Sequence, residues 1–269
     1  MSDAVVRADA HGHAHAAHHP ALQHHFESMP QQKEAAVLGM WTFLITEILF
    51  FGGLFMAYML YRIWYHDAFV AASSSITLFW GALNTVVLIG SSLTMALAVR
   101  SAQTSQRNAT VVWLILTMIL GTVFLGVKVI EYADKFEHHH VPGPDFVWES
   151  HPAGAEGGVV EGAAAQAVGG AEHGPAAAPA THAAAAASRD PALQQHTQIF
   201  FSLYFTMTGL HALHMIIGIA LMMVITWMAW QGKFDAHYYT PVEMSGLYWH
   251  FVDIVWIYLF PLLYLIDRS

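Results

Sequence analysis

The sequence contains no cysteine, and charged residues make up only 11% of its 269 residues. Without cysteine, the chain can form no disulfide framework, no thiolate zinc site, no dinuclear thiolate copper centre and no iron–sulfur cluster of the usual kind. Lysine and arginine together number only 10, and the formal net charge is -9. A basic surface that follows phosphates is therefore not expected, and we predict no nucleic-acid partner.

Hydrophobic residues are abundant, at 56% of the chain, which is too high for a soluble domain of this length. Five apolar runs are long enough, at roughly 20 residues or more, to cross a bilayer as helices. The runs lie near residues 37–61, 74–99, 111–130, 198–230 and 246–266. The sequence therefore predicts an all-α fold, a polytopic membrane helix bundle with five transmembrane helices.

The segments between these runs divide the chain into four regions. Residues 1–32 form a polar, histidine-rich tail that we expect to be disordered, and residues 33–137 contain the first three spans. Residues 138–197 form an extramembrane loop rich in Ala and Gly, which we expect to be largely disordered because it cannot bury enough apolar surface to offset its ordering entropy. The last two spans occupy residues 198–269.

An odd number of spans places the two termini on opposite sides of the membrane. The distribution of lysine and arginine over the short loops predicts a cytoplasmic N-terminus, with the long loop and the C-terminus on the outer face. Two histidine clusters, at residues 11–19 and 138–140, then lie on opposite sides. They cannot share a metal ion, and we interpret them as parts of a solvated tail and of a loop edge.

Several ionisable residues lie within or at the edges of the predicted spans, where each is costly and normally faces protein or water. They are Glu47 in the first span, Lys128 and Glu131 in the third, His211 and His214 in the fourth, and His250 and Asp253 in the last. In each of the three pairs, a spacing of three residues places both side chains on one face of a helix. This repeated pattern makes these residues the candidate site.

Three uses of such residues remain open from the sequence. A metal site could draw on His211, His214 and His250, with Asp253 or Glu47 as a further ligand. Haem is less favoured, because haem-binding bundles usually present their axial histidines on facing helices. Proton handling centred on Glu47 is the second use, and interhelical hydrogen bonding is the third.

Interhelical packing is the use that the residues around the histidine pair favour. Gly209, Ala212 and Gly218 are small, and small residues let a neighbouring membrane helix approach closely. Lys128, Glu131, His211, His214, His250 and Asp253 are therefore predicted to be interhelical or lipid-proximal polar residues. We predict no metal site and no catalytic residue in this chain.

Four stretches resemble a known family of membrane subunits. "FFSLYFTMTGLHALHMIIG" at 200–218 and "YWHFVDIVWIYLFPLLYL" at 248–265 resemble the last two helices of subunit III of haem–copper cytochrome c oxidases. "ITEILFFGGLFMAYML" is similar to the family helix with a buried carboxylate, and "GTVFLGVKVIEYADKF" to the helix with a Glu-Tyr pair. The stretches run in family order, and the chain resembles the five-helix form found in many bacterial oxidases.

The resemblance implies a subunit of a proton-pumping terminal oxidase in the bacterial inner membrane. It implies that the haems and copper lie in subunits I and II, that subunit III packs on subunit I and binds phospholipid, and that this chain holds no redox centre. Glu47 is then the buried carboxylate near the entry of a proton-uptake path. Oxidation of cytochrome c, reduction of oxygen and proton pumping would belong to the whole complex, whose assembly and proton uptake this chain supports.

Three alternatives remain at this stage. Quinol oxidases and nitric oxide reductases have subunits that resemble the same signatures, and the electron donor would be read from the partner subunits. A stand-alone transporter with a buried His/Glu site is the alternative of a different class. The spans show no obvious inverted repeat and no pair of short, broken helices, which disfavours that alternative.

Overall fold

Six helices form the regular structure of the part of the chain that the computed structural model describes, namely residues 22–74, 76–137, 191–236 and 238–266. They are α1 (Met29–Trp64), α2 (His66–Ser74), α3 (Leu78–Gln103), α4 (Arg107–Glu137), α5 (Pro191–Trp230) and α6 (Thr240–Tyr264). All except α2 are long and apolar enough to span a membrane. The predicted five-span helical bundle is confirmed, whereas both histidine clusters lie outside the described residues.

Two helices begin earlier than the apolar runs predict. α1 starts at Met29, within the segment interpreted as a tail, because the Ser28 side chain accepts a hydrogen bond from the backbone of Gln31 and Pro30 occupies the first turn. α5 starts at Pro191, within the region assigned to the loop. The first turns of both helices contain polar residues, so hydropathy alone places their starts too late.

The short helix α2 is absent from the sequence prediction, because a helix of this length gives no membrane-spanning signal. It packs on the end of the bundle, where the Phe69 ring lies 5.4 Å from that of Tyr58 and 5.3 Å from that of Phe200. The Ser73 hydroxyl donates a hydrogen bond of 2.9 Å to the carbonyl of Leu263. α2 thus connects α1, α5 and the end of α6.

α6 lies at the centre of the bundle and packs against α1, α3 and α5, while α4 packs against α3 and α5. Trp249 on α6 is fully buried, and its Nε1 donates to the Ser91 hydroxyl at 2.8 Å. Its ring fills the space beside Gly121 and Gly218, where an added Cβ would lie 2.8 Å and 3.0 Å from ring carbons. These two glycines therefore let α4 and α5 close around the central helix.

α1 is the most weakly packed of the spans. Its buried residues, Leu44, Phe51 and Tyr58, recur every seven positions and form one narrow stripe. The other faces of α1 are exposed in the isolated chain. Glu47 lies between Leu44 and Phe51 on the same face of α1, so the packing of this face determines which residues the Glu47 carboxyl contacts.

Candidate functional site

The first polar contact joins α1 to α5. Glu47 Oε2 lies 3.2 Å from His214 Nε2, and the two side chains are 19% and 13% exposed. His214 Nδ1 lies 2.8 Å from the carbonyl oxygen of Leu210, and its ring packs edge-on to Phe51. The sequence predicted no partner for Glu47 and grouped His214 with His211. The structure instead places His214 beside Glu47.

The contact of His214 with Leu210 indicates which ring nitrogen carries the proton of the neutral imidazole. A carbonyl oxygen can only accept, so Nδ1 must carry the proton that it donates to Leu210. Nε2 then has no proton in the neutral ring and can accept one from a protonated Glu47 carboxyl. The alternative with the same proton count is an imidazolium facing a carboxylate. A hydrogen bond between His214 Nε2 and the Glu47 carboxyl therefore needs a proton on one of these two groups.

The second polar cluster is centred on Lys128 and Glu131 of α4, which are only 3% and 5% exposed. Lys128 Nζ donates to Glu131 Oε2 at 2.9 Å, to the Tyr204 hydroxyl at 3.2 Å and to the Tyr264 hydroxyl at 3.1 Å. Both tyrosines donate to Glu131 Oε1 at 2.6 Å. The predicted pair on one helix is thus completed by tyrosines from α5 and α6.

Aromatic rings enclose this ion pair. The Lys128 ammonium lies between 5.2 and 5.8 Å from the centres of four rings, which belong to Tyr132, Tyr204, Trp256 and Tyr264. Attraction between the cation and these rings lowers the cost of burying the charge. The two tyrosines that bind Glu131 were not predicted from the sequence, where the available signal was a hydroxyl group inside an otherwise apolar span.

His211 has different surroundings from those of His214. It is 1% exposed, and neither ring nitrogen has a hydrogen-bond partner among the described residues. Its ring lies 5.4 Å from that of Phe124 and 5.3 Å from that of Trp256. A spacing of three residues leaves an angle of about 60° between two side chains on a helix, so the two histidines face different neighbours.

The third polar cluster lies where α6 meets α3. His250 is partly exposed, and its Nδ1 lies 2.7 Å from the Ser92 hydroxyl. Asp253 is 3% exposed, and neither carboxyl oxygen has a hydrogen-bond partner among the described residues. The Ser92 hydroxyl therefore links α3 to His250 on α6, whereas Asp253 is buried without such a link among the described residues.

The candidate residues thus form separate contacts rather than one centre. Within the described ranges, no group of three or more His, Asp or Glu side chains is arranged to hold a metal ion. The three histidines of the metal alternative point in different directions: the ring of His211 packs beside Trp256, that of His214 faces α1 and that of His250 faces α3. Hydrogen bonding and proton transfer are the chemistry that these contacts support.

Comparison with known proteins gives a consistent family assignment. A family model described as cytochrome c oxidase subunit III matches residues 189–267, which include α5 and α6. Cytochrome c oxidase subunit 3 of Thermostichus vulcanus is 30% identical over 233 residues, covering 86% of this chain and 88% of the relative. Subunit 3 of the cytochrome bo(3) ubiquinol oxidase of Pseudomonas aeruginosa is 27% identical over 230 residues, covering 85% and 84%.

A third relative extends the similarity across nearly the whole length of both chains. Cytochrome c oxidase subunit 3 of Alkalihalophilus pseudofirmus is 23% identical over 244 residues, which is 91% of this chain and 93% of the relative. Each of these matches covers more of the chain than the residues found by the family model. The chain therefore belongs to the cytochrome c oxidase subunit III family of haem–copper oxidases.

Proposed function

We propose that this chain supports proton uptake, lipid binding and assembly in a proton-pumping oxidase, and that it contains no redox centre itself. It packs directly on subunit I, beside subunit II, and the haems and copper lie in those partners. The complex resides in a bacterial cytoplasmic membrane, with the N-terminus of this chain on the cytoplasmic side. The separation of its histidines supports a role without a bound metal.

The Glu47–His214 contact is the observation that carries the proton-uptake role. The pair lies within two membrane-spanning helices and remains partly exposed at the side of the bundle. A fully enclosed pair would only fix the packing of helices. A pair that reaches the surface can exchange its proton with water or with a neighbouring subunit, which suits a place near the entry of a proton path.

The electron donor that we propose is cytochrome c. Relatives from Thermostichus vulcanus and Alkalihalophilus pseudofirmus are named as cytochrome c oxidase subunits. The Pseudomonas aeruginosa relative belongs to a ubiquinol oxidase, which keeps a quinol-oxidising complex as the second candidate. Purified complex should oxidise reduced cytochrome c, and its subunit II should contain copper-ligating cysteines. Oxidation of quinol alone would select the second candidate.

Glu47→Gln in the assembled complex tests the proton role. The glutamine amide can still donate a hydrogen bond to His214 Nε2, but it cannot release a proton. We expect unchanged haem content and subunit ratio, with fewer protons pumped per electron or fewer turnovers before inactivation. Glu34→Gln is the matched control, because Glu34 lies exposed on the same helix and should behave like the wild type.

His214→Asn tests the other half of the pair. Its shorter amide can keep the hydrogen bond to the carbonyl of Leu210 while losing the contact with Glu47. If the pair transfers a proton, this variant should reproduce the defect of Glu47→Gln. Wild-type pumping and inactivation kinetics in both variants would refute the proton role and leave only a contribution to helix packing.

A further inference from the structure

One side of the central helix α6 is left uncovered by the bundle. α6 packs against α1, α3 and α5, yet a stripe of its residues stays partly or fully exposed. The spacing of three and four residues along this stripe places its members on one side of the helix. We call this side the open face, and it consists of Leu247, His250, Ile254, Ile257, Tyr258 and Pro261.

The helices α1 and α3 stand on either side of the open face. The Phe251 ring packs edge-on against that of Phe51 on α1, whereas Trp249 Nε1 donates to the Ser91 hydroxyl on α3. Two positions that are two residues apart on a helix point about 160° apart, so α1 and α3 lie on nearly opposite sides of α6. Within the described residues, these two helices pack on α6 rather than closely on each other. His250 points into the wide space between them.

His250 places an imidazole in this mainly apolar face. Its Nδ1 lies 2.7 Å from the Ser92 hydroxyl, and its Nε2 has no hydrogen-bond partner among the described residues. The residue is partly exposed and lies near the middle of a membrane-spanning helix. Lipid tails offer no hydrogen bond at this depth, so a polar group that faces them is costly. The open face therefore requires a neighbour that can bond to Nε2.

Small residues lie on both walls beside His250. Ser92 and Ala96 on α3 are four residues apart and share a face of that helix. On α1, Gly52 follows Phe51 directly, and a Cβ added to Gly52 would meet nothing within 4 Å. Small residues let a neighbouring membrane helix approach closely. The space beside His250 thus suits a helix that packs between α1 and α3.

We propose that the open face binds a transmembrane helix of another oxidase subunit, and that this helix places a hydroxyl or carboxamide side chain at the depth of His250. Such side chains both donate and accept, so they can bond to Nε2 in either tautomer of the ring. The proposal rests on the packing of this chain on a partner subunit, which is part of the proposed function, and assigns that packing to one face.

Photocross-linking in the assembled oxidase identifies what covers the open face. Benzoylphenylalanine in place of Ile254, which is 51% exposed on this face, reacts on illumination with the C–H bonds that it contacts. We expect a product that joins this chain to a membrane-spanning peptide of another subunit, as identified by mass spectrometry. If the variant does not assemble, Ile257 on the same face, which is 46% exposed, carries the probe instead.

A second probe position separates this proposal from the proposed function. Leu49 is 71% exposed on α1, and it lies two residues before Phe51, so it points away from the open face. Cross-links to another subunit from position 49 but not from position 254 would show that the chain packs on its partner through a different face. The packing on a partner would then stand, and the assignment to the open face would fail.

The variant His250→Leu tests the hydrogen bond. If lipid covers the open face, leucine suits it better than histidine, and the chain should stay in the purified complex at least as well as the wild type. If a partner helix bonds to Nε2, we expect loss of the chain at lower detergent concentrations. Ser92→Ala is the matched control, because it removes the contact to Nδ1 but leaves Nε2 able to bind. Its loss should be smaller.

Two results would overturn the proposal. The first is a probe at position 254 or 257 that reacts only with phospholipid or with a second copy of this chain. The second is a His250→Leu variant that is retained as well as Ser92→Ala or better, which would show that Nε2 contributes nothing to the contact. Neither result depends on whether Glu47→Gln alters pumping, so the open face and the role of Glu47 can fail independently.

Discussion

Replacement of Lys128 by methionine should destabilise the bundle strongly. Lys128→Met keeps most of the apolar stem but removes the charge that compensates Glu131, and both residues are almost completely buried. Removing one partner of a buried ion pair typically costs about 3–5 kcal/mol, because the other charge remains without a partner. We expect a loss in this range in the free energy of unfolding.

The hydrogen bonds at Lys128 explain why the loss should lie in this range rather than near zero. An ammonium group has three N–H donors, and all three are used, on Glu131, Tyr204 and Tyr264. The tyrosines would still donate to Glu131 Oε1 in the variant. These two bonds stabilise the carboxylate in part, so we expect the loss of stability to lie in the lower half of this range.

A double-mutant cycle measures the coupling. Glu131→Gln keeps an oxygen that can accept from the tyrosines, and Lys128→Met combined with Glu131→Gln removes both charges. The double variant should be more stable than Lys128→Met alone, because no uncompensated charge remains. The assay is retention of this chain in the purified oxidase across a denaturant or temperature series, with haem content as the measure of intact partners.

Two results would refute this reasoning. One is a destabilisation below about 1 kcal/mol for Lys128→Met, which is the value typical of an exposed salt bridge and not of a buried, fully hydrogen-bonded pair. Losses that simply add in the double variant would show that Lys128 and Glu131 act independently. In either case, the enclosing aromatic rings and not the ion pair would hold α4, α5 and α6 together.

Further predictions concern packing and the long loop. Gly121→Ala should destabilise the chain by about 1–3 kcal/mol through overpacking, because its Cβ would lie 2.8 Å from the Trp249 ring. Gly126→Ala on the same helix meets nothing within 4 Å and should be tolerated. Thermal retention of the subunit in the complex compares the two variants, and equal retention would contradict the packing around Trp249. Deletion of residues 154–187 should leave assembly and oxygen reduction nearly unchanged, since each doubling of loop length changes the free energy of loop closure by only about 0.6 kcal/mol. Loss of the subunit from the purified complex would show instead that the loop binds a partner.

The sequence predicted those features that depend on a single helix. The hydrocarbon thickness requires about 20 apolar residues per span, so the five spans follow from run length alone. The Lys128–Glu131 contact is also local, because two residues three positions apart on one helix are neighbours in any fold that keeps the helix. The polar first turns of α1 and α5 were missed, since hydropathy does not register them.

The partners of these residues on other helices depended on the tertiary structure. The sequence paired His211 with His214, but helix rotation turns His214 toward Glu47 and His211 toward Trp256. It did not assign Tyr204 or Tyr264 to Glu131. Apolar faces of membrane helices look alike in sequence, and the choice of neighbour and rotation rests on close packing at small residues and on interhelical hydrogen bonds. Local spacing therefore identified the polar residues, whereas helix packing decided which of them meet.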